Sequence, residues 1–155
     1  MNAETNSIDK TIYDKLSNFC AYQERCASDV KEKMRKLKIE KEEYDAYITK
    51  LKDDNYLNDE RFVKYYLSAH AKKKWGKTKM KAALGAKRID SSLIKQYLDD
   101  MDEDDYDDQI KTIAEKKWNT IKAKTLRDKK TKMLRFLLSK GYEMGKAINA
   151  IKDFK

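Results

Sequence analysis

Apolar residues recur every three to four positions along most of the chain, which is the spacing of a helix with one buried face. Nine such segments follow one another between Asp9 and Phe154. The chain has no proline and only four glycines, so few residues interrupt these segments. The pattern predicts an all-α protein.

Polar residues at the ends of the apolar segments predict the helix boundaries. The first helix is expected from Asp9 to about Cys26, and Ser28 with Asp29 is expected to cap the second helix. Gly141 is a natural end for the eighth helix. The residues expected on buried faces include Ile12, Leu16, Phe19, Ala21 or Tyr22, Val30, Met34, Leu37, Tyr44, Ile48, Leu51, Phe62, Val63, Tyr66, Met80, Leu84, Leu93 or Ile94, Leu98, Ile110, Ile113, Ile121, Met133, Phe136, Leu137, Tyr142, Ala147, Ile148, Ile151 and Phe154.

The segment from Asp54 to Phe62 predicts a joint between two helices. Asn55 can adopt the left-handed conformation that ends a helix without glycine. Asn58 can accept a hydrogen bond from a free amide in the first turn of the next helix. Leu57 and Phe62 then occupy the two positions of a hydrophobic staple, which sets the angle at which the chain enters the helix.

The apolar positions also repeat over a longer distance. When Ile39, Ile89 and Tyr142 are taken as equivalent, apolar residues occur five and nine positions before each, and five, nine and twelve positions after each. Eighteen positions agree at spacings of 50 and 53 residues. Because a three-helix unit buries little surface alone, this period predicts three tandem three-helix repeats that stack into an elongated, curved array.

The repeat period leads to a division of the chain. We expect a disordered tail at 1–8, a first repeat at 9–57, a second at 58–101, an acidic linker at 102–108 and a third repeat at 109–155.

Charge is high and unevenly distributed. Charged residues make up 41% of the chain, and the formal net charge is +9. Eight of the ten residues from Asp99 to Asp108 are acidic, whereas Lys111 to Lys155 contains 14 Lys or Arg and four Asp or Glu. Such asymmetry indicates either a polyanionic or acidic partner or a surface made soluble by lysine.

Several kinds of site are disfavoured by spacing. Cys20 and Cys26 lie six residues apart and do not form a metal or disulfide pattern. The acidic run places aspartate at several calcium-loop positions, but Asp105 replaces the required glycine and Lys111 the final glutamate. His70 has no evident nucleophile to activate. We therefore expect a protein without catalytic residues, metal or cofactor.

No apolar run approaches the roughly 20 residues that a membrane span requires. The first ten residues are polar and lack the core of a signal peptide. We expect a cytoplasmic protein with no membrane contact.

Two groups of basic residues are candidates for binding. The first basic band surrounds Trp75 and Gly76 and consists of Lys72, Lys73, Lys74, Lys77, Lys79 and Lys81. The second basic band consists of Lys122, Lys124, Arg127, Lys129, Lys130, Lys132 and Arg135. Such bands can contact phosphates without reading sequence. The alternative is a solvated helix face, with Trp75 and Trp118 in the core.

Four segments together resemble the RecX family of bacterial recombination regulators. They are YLNDERF at 56–62, WGKTKM at 75–80 with Leu84, Lys87 and Ile89, RCAS at 25–28, and KMLRFL at 132–137 with KGY at 140–142. Cys26 stands where a second arginine is common, and Arg88 replaces the usual glycine. The motif residues with an expected structural role are Tyr56, Leu57, Asn58, Asp59, Phe62, Gly76, Met80 and Leu84.

The resemblance implies tandem three-helix repeats and binding in the groove of a RecA–single-stranded-DNA filament. It also implies modulation, usually inhibition, of recombinase and coprotease activity in DNA repair and the SOS response. The alternatives are a helical-repeat protein that binds single-stranded or double-stranded nucleic acid directly, and a helical scaffold for an unrelated protein partner. We expect a monomer. The expected contacts with the partner or DNA are Lys72, Lys73, Lys74, Lys77, Lys79, Lys87, Arg88, Lys124, Arg127, Lys129, Lys130, Lys132 and Arg135.

Overall fold

The computed structural model describes residues 8–155, and the secondary structure in that range is helical. The α-helices are α1 (Lys10–Tyr22), α2 (Ala27–Lys36), α3 (Tyr44–Asp53), α4 (Asp59–His70), α5 (Lys77–Ala86), α6 (Ser91–Asp99), α7 (Glu103–Trp118), α8 (Leu126–Ser139) and α9 (Met144–Ile151). One-turn 3₁₀ segments at Lys41–Glu43 and Ala71–Lys73 precede α3 and follow α4. The all-α prediction is confirmed.

The three-fold repeat of apolar positions corresponds to burial. Of the eighteen equivalent positions, fifteen are buried, and Tyr44, Met101 and Phe154 are half-buried. Val30, Met34 and Leu51 are fully enclosed in the first core, and Met133 and Leu137 in the third. The repeated positions are therefore the positions at which each set of three helices packs.

The chain divides into two compact units. The first contains the described residues up to Tyr66 together with Ala86–Asp90, and the second contains Leu67–Gly85 and Ser91–Lys155. The second sequence repeat, at 58–101, therefore has residues in both units. The tail predicted at 1–8 lies outside the described residues except for Ile8, which packs against the first core and so does not belong to a tail.

The joint at 54–62 forms as predicted. Asn55 has a φ of 65°, and the Asn58 side chain accepts a 2.8 Å hydrogen bond from the amide of Arg61. Leu57 and Phe62 are both buried. The Arg61 guanidinium adds contacts that the local pattern did not predict. It bonds to Glu24 at 2.6 Å and to the backbone carbonyl of Asn55 at 2.9 Å.

The end of the first helix differs from the prediction. Helix α1 ends at Tyr22. Ala21 and Tyr22 are both exposed, Tyr22 by 83%, so the prediction that one of them lies in the core is wrong. The cap of α2 is Cys26 rather than Ser28, and its amide donates to the Asp29 carboxylate at 3.3 Å. Cys20 and Cys26 are free, buried thiols, and burial raises the pKa of Cys20 to about 11.

Most of the segment 102–108, predicted as an acidic linker, forms the start of a helix instead. The Asp102 side chain accepts a hydrogen bond from the amide of Asp105 and caps α7, which begins at Glu103. Acidic residues in a first turn interact favourably with the helix dipole, so the run starts the helix. Lys146 bonds to Asp107 at 2.7 Å and to Glu103 at 2.8 Å, and these bonds raise the pKa of Lys146.

In the third repeat, two further residues differ from the prediction. Ile121 lies beyond the end of α7 at Trp118, although it is half-buried and packs against the third core as expected. Ile148 on α9 is 50% exposed instead of buried, because Ala147 and Ile151 form the inward face of that short helix.

Candidate partner-binding surface

The first basic band lies on the turn between α4 and α5 and on the first turns of α5. Lys72, Lys73 and Lys74 are exposed, and Lys74 adopts a left-handed conformation with a φ of 57°. Trp75 is half-buried rather than part of the core. The Nζ atoms of Lys73 and Lys79 lie 5.1 and 4.8 Å from the centre of its ring, which is a cation–π arrangement.

Backbone contacts attach this band to the turn between α8 and α9. The amide of Gly76 donates to the carbonyl of Lys140 at 2.7 Å, and the amide of Thr78 donates to the carbonyl of Gly141 at 3.0 Å. A Cβ atom at Gly76 would lie 2.2 Å from the carbonyl carbon and oxygen of Gly141. Glycine is therefore required at position 76, because two backbone segments touch there.

Two buried tyrosines reinforce the attachment. Tyr106 accepts a hydrogen bond from the amide of Lys77 at 2.9 Å, and its hydroxyl donates to Glu143. The Tyr142 hydroxyl donates to the carbonyl of Lys74 and accepts from Gln109 at 2.8 Å. The two ring centres are 5.7 Å apart. These bonds hold the backbone of the first basic band in one position.

The surroundings of the two tyrosines disfavour their ionised forms. Burial, and then the hydrogen bond to the Glu143 carboxylate, raise the pKa of Tyr106 well above its usual value. Burial likewise raises the pKa of Tyr142. Both side chains therefore keep their hydroxyl protons over the whole neutral range and continue to donate hydrogen bonds.

The second basic band lies on the α7–α8 turn and on α8 as far as Arg135. Thr125 caps α8 by accepting a hydrogen bond from the amide of Asp128 at 3.1 Å. Trp118 is half-buried against Phe154, and Lys129 Nζ lies 4.4 Å from the Trp118 ring centre. An open cleft of about 660 Å³ is lined by Lys122, Ala123, Lys124, Asp128, Thr131, Lys132 and Arg135.

The two bands belong to the same compact unit and are associated with opposite ends of α8. The first contacts the turn after Ser139, and the second surrounds the beginning of the helix at Leu126. A helix of 14 residues is about 20 Å long. The unit therefore presents two cationic regions, one at the end of α8 and one that extends from the α7–α8 turn to Arg135.

The remaining expected contacts, Lys87 and Arg88, belong to the other unit. Lys87 Nζ lies 2.7 Å from Asp29. Burial opposes the charge of Lys87, but the hydrogen bond and charge of Asp29 outweigh burial and raise its pKa. Among residues 8–155, Lys87 is the one expected contact cation that forms an ion pair with a carboxylate.

Three residues with a positioning role were not singled out by sequence. Arg61 belongs to the YLNDERF segment but has no role predicted from it. Its guanidinium bonds both to Glu24 and to the carbonyl of Asn55 in the α3–α4 joint. Tyr106 lies inside the acidic run. The sign of its burial in the sequence is that it precedes Ile110 by four residues, which places both on one face of a helix. Gly141 was predicted as a helix end, but its contact with Gly76 depends on tertiary packing.

This arrangement of three-helix units can be compared with known proteins. A family model described as RecX, second three-helix domain, matches residues 58–98, and a model described as RecX, third three-helix domain, matches residues 103–150. A regulatory protein RecX of Acinetobacter baylyi is 30% identical over 134 residues, which cover 84% of this chain and 82% of that protein. The chain belongs to the RecX family.

Other RecX proteins agree with this assignment. A regulatory protein RecX of Clostridium perfringens is 32% identical over 117 residues, covering 74% of this chain and 55% of that protein. The chain thus spans about half the length of that relative. The crystal structure of RecX from Lactobacillus salivarius superposes with a TM-score of 0.80 at 25% identity, with 97% of each chain covered. The fold is the tandem three-helix architecture of regulatory RecX proteins.

The crystal structure of another regulatory protein RecX shares the fold, with a TM-score of 0.84 at 20% identity and with 98% of this chain and 75% of that one covered. Among residues 8–155, every helix is too short or too polar to cross a bilayer.

Proposed function

We propose that this RecX-family protein is a non-enzymatic cytoplasmic regulator that binds the RecA–single-stranded-DNA filament and inhibits recombinase and coprotease activity. It acts as a monomer and requires no metal or cofactor. The relatives named regulatory protein RecX support the regulatory part of the proposal. The basic bands support an extended, negatively charged partner.

The single observation that carries the proposal is the ion pairing of the two basic bands in the second unit. Their exposed cations, among them Lys124, Arg127 and Arg135, form no ion pair with a carboxylate of residues 8–155. Cations without carboxylate partners are available to phosphates or acidic side chains. Two such regions distributed along a helix about 20 Å long suit a repeating filament better than a small ligand.

A second candidate function is direct binding of single-stranded DNA. The half-buried Trp75, with Lys73 and Lys79 beside its ring, favours it, because aromatic side chains among cations are the usual elements of single-strand binding. Double-stranded DNA is a poorer fit. Acidic residues precede the third helix of each repeat, namely Glu43 before α3, Asp90 before α6 and Glu143 before α9. Phosphates would be repelled from the helix starts that helix-turn-helix proteins insert into the major groove.

One paired measurement separates these functions. Labelled single-stranded DNA is titrated with the protein by fluorescence anisotropy, once bare and once coated with RecA and a non-hydrolysable nucleotide. The proposed function predicts tighter binding to the coated strand and inhibition of RecA ATP hydrolysis. Equal or tighter binding to bare DNA supports the second candidate, and binding to neither contradicts both.

A further inference from the structure

Exposed apolar side chains are concentrated on the last two helices. Four of the six exposed large hydrophobic residues in the described chain belong to α8 or α9, and they are 37–50% exposed. They are Leu126, Leu138, Met144 and Ile148. Large apolar groups gathered in one region of a surface usually mark a contact with another macromolecule.

One of these residues, Leu126, lines a groove between α8 and α9. Leu126, Lys130, Leu134 and Ile151 line its first part, an apolar cleft of about 400 Å³. The Lys130 ammonium donates to the carbonyl of Lys152 at 3.1 Å, which places the first half of α8 beside the end of α9.

The apolar surface continues along both helices. Leu138 follows Leu134 by one turn on α8. On α9, Ile148 precedes Ile151 by three residues and Met144 precedes Ile148 by four, so both lie on the same side as the cleft. This spacing extends the apolar surface of the groove along α9, a helix about 12 Å long, and along α8 as far as Leu138.

The internal packing of the unit does not require this apolar groove. Helices α8 and α9 already bury Met133, Leu137, Ala147 and Ile151 in the third core, each at most 5% exposed. The four exposed residues lie on the flanks of the same helices and leave 37–50% of their surface in water. A further macromolecule covering the groove would remove that apolar surface from water.

The charge along one side of the groove indicates which macromolecule fits. Arg127 and Lys130 line the apolar cleft, and Thr131 belongs both to it and to the neighbouring basic cleft, which contains Lys124 and Arg135. An apolar groove with a cationic border complements an amphipathic helix that carries acidic residues beside its apolar stripe.

We propose that the α8–α9 groove binds an acidic amphipathic helix of a protein partner. Nucleic acid lacks a helical apolar stripe to fill the groove. A symmetric dimer through this face would place the second basic bands of two copies against each other, and like charges oppose such a pairing. The proposal does not depend on the function proposed above, because it concerns the peptide chemistry that this groove recognises.

The test uses the full chain and two synthetic probe peptides of about sixteen residues, long enough to lie along the groove as a helix. One peptide has leucine on one face and glutamate on the other, and the second has lysine in place of every glutamate. Fluorescence anisotropy is expected to show binding of the acidic peptide and at least about ten-fold weaker binding of the basic one. Equal affinity for the two peptides, or no binding of either, overturns the proposal.

Variants locate the binding site. Met144→Ser with Ile148→Ser is expected to weaken acidic-peptide binding about ten-fold or more, since two half-exposed apolar contacts are lost. Arg127→Glu is expected to weaken it several-fold, with a smaller dependence on salt. Tyr22→Ser, at an exposed apolar residue of α1, is the matched control and is expected to bind as the parent does.

Thermal melts check that each variant is folded. Peptide binding by the Met144/Ile148 double variant at parent affinity overturns the proposal. A concentration-dependent dimer in sedimentation experiments that disappears in the double variant also overturns it, because a second copy would then be the occupant of the groove.

Discussion

Left-handed backbone conformations recur at one residue position of the three-helix repeat. Lys38, Arg88 and Gly141 have φ values of 62°, 65° and 93°, and each directly precedes the junction residue of its repeat. In the first and third repeats, the junction amide bonds back to the carbonyl five residues earlier, which is the pattern of a Schellman helix end. Arg88 therefore adopts the conformation that Gly141 provides at the equivalent position of the third repeat.

The first prediction concerns this position. Lys38→Gly is expected to raise the free energy of unfolding by about 0.5–1 kcal/mol, because the left-handed conformation costs an ordinary residue about 1–2 kcal/mol and glycine much less. Lys36→Gly, in the last turn of α2, is the matched control and is expected to lower it by up to about 1 kcal/mol. Urea unfolding of both variants measures the difference. An unstable Lys38→Gly protein would contradict the assigned conformation.

A second prediction at this scale concerns the cap of α4. Asn58→Ala is expected to cost about 1 kcal/mol, because the amide of Arg61 loses its acceptor. Asn58→Ser keeps an oxygen at the same place and is expected to retain most of the stability. Thermal melts compare the two proteins. Equal melting temperatures for Asn58→Ala and the parent would exclude a stabilising role for the cap.

At the scale of elements, the close contact between the start of α5 and the α8–α9 turn is the feature that positions the first basic band. Gly76→Ala is expected to cost several kcal/mol or to prevent folding of the second unit, because its Cβ would overlap the backbone of Gly141.

Gly85 provides the control for this third prediction. It lies in α5, and a Cβ there meets nothing within 4 Å. Gly85→Ala is expected to stabilise the protein by about 0.5–1 kcal/mol, since alanine is the better helix former. Circular dichroism melts follow both changes. A Gly76→Ala variant as stable as Gly85→Ala would contradict the close contact.

The tyrosine network predicts a pH dependence. The raised pKa of Tyr106 means that its contribution to stability is complete below the unfolded-state pKa of about 10 and decreases as pH rises beyond it. One such group changes the free energy of unfolding by at most about 1.4 kcal/mol per pH unit. Tyr106→Phe is therefore expected to lose stability less steeply above pH 10 than the parent.

Urea unfolding between about pH 9 and 11.5, the range around the ordinary tyrosine pKa, measures these slopes. Tyr22→Phe is the control, because Tyr22 is 83% exposed and its variant is expected to follow the parent. Identical slopes for Tyr106→Phe and the parent would show that Tyr106 is not held in its protonated form by the fold.

At the scale of the whole molecule, charge is distributed along the third repeat. The acidic residues Asp99 to Asp108 precede or begin α7, whereas the second basic band follows the end of α7. Helix α7 has 16 residues and is about 24 Å long. The third repeat therefore carries opposite charge near the two ends of one helix, and a polyanion is expected to approach the end at Trp118.

The last prediction tests that orientation. Lys124→Glu with Arg135→Glu is expected to weaken binding to the RecA–single-stranded-DNA filament several-fold and to reduce its salt dependence, because cations near phosphates or acidic side chains are lost. The melting temperature is expected to change little, since surface substitutions usually alter stability by no more than about 0.5 kcal/mol. Inhibition of RecA ATP hydrolysis at two salt concentrations is the assay.

Lys15→Glu with Lys36→Glu makes the same change of charge at exposed positions of the first unit and serves as the control. The proposed interface predicts a larger loss for the Lys124/Arg135 pair. Equal losses for both pairs would indicate that net charge, rather than the second basic band, governs binding.

The sequence by itself determined the all-α class, the repeated core positions and the joint at 54–62. Each of these depends on neighbours within a few turns: apolar spacing selects the buried face of a helix, and Asn58 caps the helix that begins beside it. The YLNDERF and WGKTKM segments also indicated the family before any tertiary contact was known. Errors occurred at Tyr22 and Ile148, whose spacing suited a buried face that neighbouring helices do not cover.

The tertiary structure alone decided how the basic residues are held and which apolar residues remain exposed. The Tyr142 hydroxyl meets the carbonyl of Lys74 across 68 positions of sequence, and Lys87 meets Asp29 across 58. Local periodicity carries no information about such pairs, because packing between helices brings them together. For the same reason, local periodicity does not predict the groove beside Ile148, because the packing of α8 against α9 forms it.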